Sequence, residues 1–248
     1  MNEKEKFDKL KLEELRTQLE FFRQLGVDFL VEPHRQPAER PIDNSSRPEL
    51  ISGEHFQGSE GDQQAEWDRL IQKILNCRFC PLFKTRTQAV PGEGNWKAQL
   101  MFVGEAPGRD EDFQGRPFVG RAGQLLTKII QSMGFSREEV YIANVIKCRP
   151  PENRTPRPDE IKACSHFLLK QIEMIRPRVI VTLGKVATEF LLQSSRSMSE
   201  LRGHFGEFQG IPVMPTFHPA YLVRNERNKQ IRKMVWEDMK QVMKLLKS

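Results

Sequence analysis

The spacing of apolar positions changes several times along the chain, and each change marks an element. Between residues 5 and 30, Phe7, Leu10, Leu15, Leu19, Phe22, Leu25 and Phe29 recur at spacings of three to five. That spacing predicts one amphipathic helix, with Gly26 ending its regular part. Residues 31–65 lose all periodicity. Pro33, Pro37, Pro41 and Pro48 are followed by Gly53, Gly58 and Gly61, with Ser, Asn and acid between them. This stretch reads as a flexible linker unable to build a core. From Glu66 onward, helix-period and strand-period segments alternate. Helices are expected at 66–76, 121–133, 158–175, 185–192 and 228–247, and strands at 98–103, 140–146, 178–183 and 211–216. The run RVIVTL at 178–183 is almost wholly apolar, as a strand buried on both faces should be. Such alternation implies an α/β domain over 66–248, three layers α/β/α around a parallel sheet. A site in such a fold lies beyond the carboxyl ends of the strands. The segments after Val103, Val145, Leu183 and Thr216 are therefore the ones to read for chemistry.

Composition narrows the class. Of 248 residues, 38% are apolar and 29% charged, and there are only 4 cysteines. These proportions exclude collagen-like and disulfide-scaffold chains. No apolar run approaches the roughly eighteen residues of a membrane span. The opening MNEKEKFDKL lacks the apolar core of a secretory signal, so a cytoplasmic protein that avoids membranes is expected. The net charge of +6 is unevenly spread: residues 1–30 carry 6 basic and 7 acidic side chains, residues 31–66 carry 3 and 8, and residues 67–248 carry 30 and 18. A domain with that basic excess attracts polyanions, because neutralising phosphates releases condensed counterions.

Cys77 and Cys80 form C-R-F-C-P, while fifteen residues lie between Cys148 and Cys164. A C-x-x-C suits zinc, a redox disulfide or an iron–sulfur cluster. The redox reading leaves Cys148 and Cys164 idle. Buried inert thiols would explain Cys164 on its helix but not the C-x-x-C. Four thiolates with no histidine nearby fit zinc and a cubane cluster equally well.

The first strand runs into V-G-E-A-P-G-R-D-E-D-F-Q-G-R-P-F-V-G-R-A-G, residues 103–123. Its glycines allow close approach of the backbone to a ligand. It is neither a Walker loop nor a dinucleotide fingerprint, since no Gly-Lys-Ser/Thr follows and Pro107 interrupts the glycine spacing. Glu105, Asp110, Glu111 and Asp112 crowd acid into this turn, which is costly unless some of them meet substrate or a cation. Asn144 lies within the apolar strand I-A-N-V-I, where an unmatched amide is expensive. A stiff basic loop with Lys147, Arg149, Arg154 and Arg157 follows it. His218, Tyr221, Leu222 and Arg224 in T-F-H-P-A-Y-L-V-R-N join a histidine to an apolar wedge with a basic flank. That combination suits entry into a base stack.

Taken together, V-G-E-A-P-G-x-x-E-D, G-R-P-F-V-G-R-A-G, N-V-I-K-C-R-P-P-x-N-R-T-P and H-P-A-Y-L-x-R-N resemble the family-four uracil-DNA glycosylases over about residues 66–248. The resemblance implies a four-stranded parallel sheet between helices. It also implies a [4Fe–4S] cluster on Cys77, Cys80, Cys148 and Cys164, and hydrolysis of the N-glycosidic bond of deoxyuridine in uracil-containing DNA. A base inside a duplex is unreachable, so the nucleotide must be flipped out. Phe118 would stack on the flipped ring and Asn144 would pair with its O4 and N3 edge. The backbone at Gly104, Glu105 and Ala106 would touch the base, and His218 would donate to O2. The resemblance places Glu111 beside uracil C5. Where the family-one enzymes carry an aspartate, this chain has Ala106, which leaves Glu105 and Glu111 as the carboxylates available to handle water. Arg149, Arg154 and Arg224 would grip phosphates, Tyr221 or Leu222 would fill the vacated stack, and Asn153 would contribute loop contacts. The catalytic domain is expected to act as a monomer, and the N-terminal helix could dock a protein partner.

Three other readings compete. A covalent uracil-DNA binder would carry glutamine where Ala106 stands, and an inserted histidine after Cys148. A family-five-like enzyme would lack Glu105. A non-catalytic iron–sulfur DNA-binding or redox-sensing protein would leave Asn144, Phe118 and His218 without work.

Overall fold

A computed structural model of the chain describes residues 59–194 and 196–248. The helix expected at 5–30 and the linker up to residue 58 lie outside the described residues. The linker boundary at 65 is too late. Helix α1 spans Glu60–Leu75 and starts six residues before the expected position. Its start is a capping box: the Ser59 hydroxyl accepts from Asp62 N–H, and the Asp62 carboxylate accepts from Ser59 N–H at 3.0 Å. The reciprocal cap satisfies two orphan donors, which periodicity could not reveal in so polar a first turn. Trp67 anchors this helix, stacked on Trp96 at 5.9 Å and edge-on to Tyr141 at 5.4 Å.

The sheet has six strands in the order β1-β3-β2-β4-β6-β5. Its centre is the expected parallel set, β3 (Tyr141–Asn144), β2 (Leu100–Gly104), β4 (Val179–Leu183) and β6 (Ile211–Thr216). Two short antiparallel strands close the edges: β1 (Glu93–Gly94) beside β3, and β5 (Gly206–Phe208) beside β6. Neither edge strand is legible in the sequence, being two and three residues long.

Between the strands run α2 (Arg109–Gln114), α3 (Arg121–Ser132), α4 (Pro158–Ile175), α5 (Lys185–Leu192) and α6 (Met198–Leu201), and after β6 come α7 (Pro219–Arg224) and α8 (Lys229–Lys247). The central strands are buried on both faces, and alternate residues feed two cores. Met101 and Val103 join Trp67, Phe167 and Leu168 on one side, whereas Leu100 and Phe102 join Leu126, Ile130, Val235 and Met239 on the other. From β2 the chain steps outward to β3, then crosses back to β4 on the other flank. The crevice where strand order reverses therefore opens above β2, and this is where such sheets bind ligands.

Candidate active site

Parallel register brings the ends of the central strands level. Gly104 pairs with Asn144, and Leu183 pairs with Thr216. A Cβ on Gly104 would lie 2.5 Å from both Asn144 Oδ1 and Phe118 Cζ. Only a residue without a side chain fits there, and its absence leaves the amide and the ring facing one small space. Asn144 is buried, and its Oδ1 has no hydrogen-bond partner among the described residues. Phe118 is buried as well, and its ring lies 5.6 Å from the His218 imidazole at an interplanar angle of 32°. Gly184, after β4, also leaves room for this histidine, because a Cβ there would meet His218 Cβ at 2.9 Å. Gly104, Phe118, Asn144 and His218 thus converge although 114 residues of sequence separate the first from the last.

His218 caps α7: its Nδ1 accepts from Ala220 N–H at 3.1 Å. An accepting Nδ1 leaves the proton on Nε2, so the ring is a neutral donor. Burial holds its pKa down at about 4, helped by the nearby charge of Arg224. Behind it, Thr216 Oγ1 donates to the buried Asp238 carboxylate at 2.7 Å, and Arg202 pairs with the same carboxylate.

Three of the four acids of the turn separate into different jobs. Asp112 is buried and accepts from Thr87 N–H through both oxygens at 3.0 Å. Glu111 staples the loop: it accepts from Gly108 N–H at 3.1 Å, Val119 N–H at 2.8 Å and Gly120 N–H at 2.9 Å. Of the two carboxylates expected to handle water, Glu111 is thus engaged by three backbone N–H groups. Glu105 is half-buried, its carboxylate has no hydrogen bond among the described residues, and burial raises its pKa above the ordinary value. Its main chain is fixed by the Ile146 N–H donating to its carbonyl at 3.2 Å. Ala106 packs against the core beside it.

Opposite Glu111, Arg137 holds the other side of the same loop. It donates to Phe118 O at 3.0 Å, Pro117 O at 2.7 Å, Thr127 Oγ1 at 3.0 Å and Glu93 Oε1 at 3.0 Å. Burial pushes the Glu93 carboxyl up, but the hydrogen bonds and charges of Arg116 and Arg137 outweigh this and hold it below the ordinary value.

The rim differs from expectation at two positions. Leu222 is buried in the core and cannot be the wedge, so Tyr221, exposed and tilted against Phe217 at 5.3 Å, is the side chain that can. Arg154 forks onto the buried Glu160 carboxylate at 2.8 and 2.6 Å rather than standing free for phosphate. This pair, with Arg157 N–H donating to Glu160 at 2.8 Å, holds the Glu160 pKa down at about 2. Arg149 reaches Asn153 Oδ1 at 2.7 Å on an exposed 3-10 turn, and Arg224 is exposed.

All four cysteines are free thiols gathered around one part of the core. Cys148 Sγ accepts from Arg86 Nη1 at 2.9 Å, and Cys164 Sγ accepts from Lys147 N–H at 3.2 Å. Burial pushes the Cys80 and Cys148 thiols up, and Cys164 up to about 12. Among the described residues, no three His, Cys, Asp or Glu side chains converge to hold a single metal ion. Lys147, expected in the basic loop, is wholly buried instead. It donates to Asn144 O at 2.9 Å and Gln171 Oε1 at 2.7 Å, and burial lowers its pKa to about 8.

The sequence signature of the Uracil DNA glycosylase superfamily matches residues 91–240, a span holding every pocket residue named above. The chain is 49% identical over 178 residues to a type-4 uracil-DNA glycosylase of Thermotoga maritima, covering 71% of this chain and 92% of that protein. It is 47% identical over 190 residues to a type-4 uracil-DNA glycosylase of Saccharolobus solfataricus, covering 73% and 87%. This chain belongs to the type-4 uracil-DNA glycosylases. A type-5 uracil-DNA glycosylase of Pyrobaculum aerophilum matches at only 29% over 189 residues, covering 63% and 83%, which separates the two branches.

Within this type-4 chain, sequence reasoning missed Arg137, Glu93 and Gln171, and misplaced Lys147. Nothing in S-R-E-E-V-Y distinguishes Arg137 from the exposed charges around it. Only the apolar run V-Y-I-A-N-V-I directly before Lys147 hinted that this lysine is buried.

Proposed function

We propose that this protein flips deoxyuridine out of DNA and hydrolyses its N-glycosidic bond, releasing uracil and leaving an abasic site at the start of base-excision repair. The observation that carries the reading is the orphaned Asn144 Oδ1, buried beside Phe118 and His218. A buried acceptor with no partner is costly, and uracil N3–H supplies the missing donor. The amide nitrogen can then donate to O4. Cytosine reverses this pattern and would leave buried groups unpaired, so it is rejected.

The remaining steps follow from charge. As the bond to C1′ breaks, negative charge grows on uracil O2. The neutral Nε2–H of His218 donates there, aimed in advance at charge that develops only in the transition state. Glu105, the carboxylate left free in the turn, orients the water that adds to C1′ and takes its proton. The turn held by Glu111 carries the backbone that packs on the base. Tyr221 fills the gap left in the stack, and Arg149 and Arg224 hold flanking phosphates.

Cys77, Cys80, Cys148 and Cys164 would hold a [4Fe–4S] cluster. Four cysteine thiolates are the ligand set that such a cluster takes. The donor set fits: four free thiols without histidine, two of them accepting N–H hydrogen bonds of the kind that support ligating sulfur. Bound, the cluster supplies a structural tie and no electron to the hydrolysis.

Base release from an oligonucleotide containing one uracil, read by alkaline cleavage, tests the reading. Release from uracil but not from cytosine or thymine is expected, with no DNA left attached to the protein. A stable protein–DNA adduct, or binding without release, would replace it with the binding-protein reading.

A further inference from the structure

Phe118 has φ 52°, a left-handed backbone that a bulky L residue rarely adopts. Such conformations persist only where the surroundings over-determine them. Here the surroundings are explicit. On one side, Glu111 takes the N–H groups of Val119 and Gly120. On the other, Arg137 takes the carbonyls of Pro117 and Phe118 with its two terminal nitrogens. Gly123 makes this approach feasible, because a Cβ there would lie 1.8 Å from Phe118 O. Arg137 is itself held by Glu93 and Thr127, and its side chain is only 12% exposed. Glu93 sits on β1, whose pairing with β3 places Glu93 opposite Ile142. The two-residue edge strand thereby delivers the carboxylate that orients the arginine.

We propose that Arg137, oriented by Glu93, is a positioning residue that sets the Phe118 ring in the plane where it stacks on the flipped base. The guanidinium fork suits two adjacent carbonyls as no ammonium would. It touches backbone and not substrate, so its effect reaches the base only through Phe118. The inference rests on the reading that Phe118 stacks on uracil.

The test is a double-mutant cycle on the full chain, with free uracil as the probe and its inhibition constant against oligonucleotide cleavage as the readout. Unfolding temperature is measured alongside. Phe118→Ala and Arg137→Met should each weaken uracil binding by on the order of tenfold, as loss of one stacking contact does. The double variant should be no weaker than Phe118→Ala alone. A merely structural arginine would lower the unfolding temperature and give additive losses in binding. Glu93→Gln is the milder second variant: a smaller weakening is expected, vanishing in the Phe118→Ala background. Additive losses, or tight uracil binding in both Arg137→Met and Glu93→Gln while Phe118→Ala binds weakly, would overturn the inference. Unchanged binding in Phe118→Ala would instead overturn the stacking reading beneath it.

Discussion

His218 is kept neutral by two separate features, the Ala220 N–H on Nδ1 and burial. Nitrogen-15 resonances of the imidazole should therefore show the Nε2–H tautomer persisting on acidification until about pH 4. A midpoint at the ordinary 6.5 would contradict this. The folded pKa lies below the unfolded one, so between these values the unfolded chain binds more protons. Stability from this group is present above pH 6.5 and is lost as pH falls toward 4. Replacing His218 with Gln should flatten that part of the stability profile. At this scale much of the site was legible: Asn144 stood out as an amide in an apolar strand, and Phe118 through the resemblance carried by G-R-P-F-V-G-R-A-G. Leu222 and Arg154 were misread because burial and ion pairing depend on neighbours that sequence does not locate. Arg154 lies only six residues from Glu160, yet the fork forms because the 3-10 turn at Pro151–Asn153 folds it back.

Among the elements, α4 carries the most mixed duties. Pro158 at its first turn and Glu160 capping Arg157 N–H set its start, Cys164 faces the other thiols, and Gln171 reaches Lys147, Tyr141 and Pro91. Removing the Arg154–Glu160 fork should cost stability, not DNA affinity. Arg154→Ala is expected to lower unfolding free energy by about 2 kcal/mol in denaturant titration, a buried ion pair discounted for the partly exposed arginine. It should leave the salt dependence of DNA binding unchanged. Five helices and the four central strands were legible from period alone, most within two residues of their expected ends, whereas the short helices α2, α6 and α7 were not. What periodicity could not carry were the Ser59 cap, the two edge strands, too short to show a period, and the 3-10 turn at Pro151–Asn153.

Across the whole molecule, the basic excess of residues 67–248 should appear as a steep fall of DNA affinity with salt. Arg149→Ala and Arg224→Ala should each reduce the log–log slope by about one, whereas an unchanged slope would remove them from the phosphate contacts. With the proposed cluster bound, the cysteines would tie the segment after α1, the loop after β3 and α4 together. Cys164→Ser should lower iron and acid-labile sulfide content together with the unfolding temperature, since metal binding and folding share one free energy. Full iron content in that variant would exclude Cys164 as a ligand. The central claim is that a single buried amide reads the base, and single-turnover release from a uracil oligonucleotide by the wild type and Asn144→Ala tests it most directly. The account predicts uracil release slowed by at least about a hundredfold in a variant that still folds and binds DNA, because a site built to hydrogen-bond its base loses its discrimination when the partner is removed. Release at the wild-type rate would contradict it.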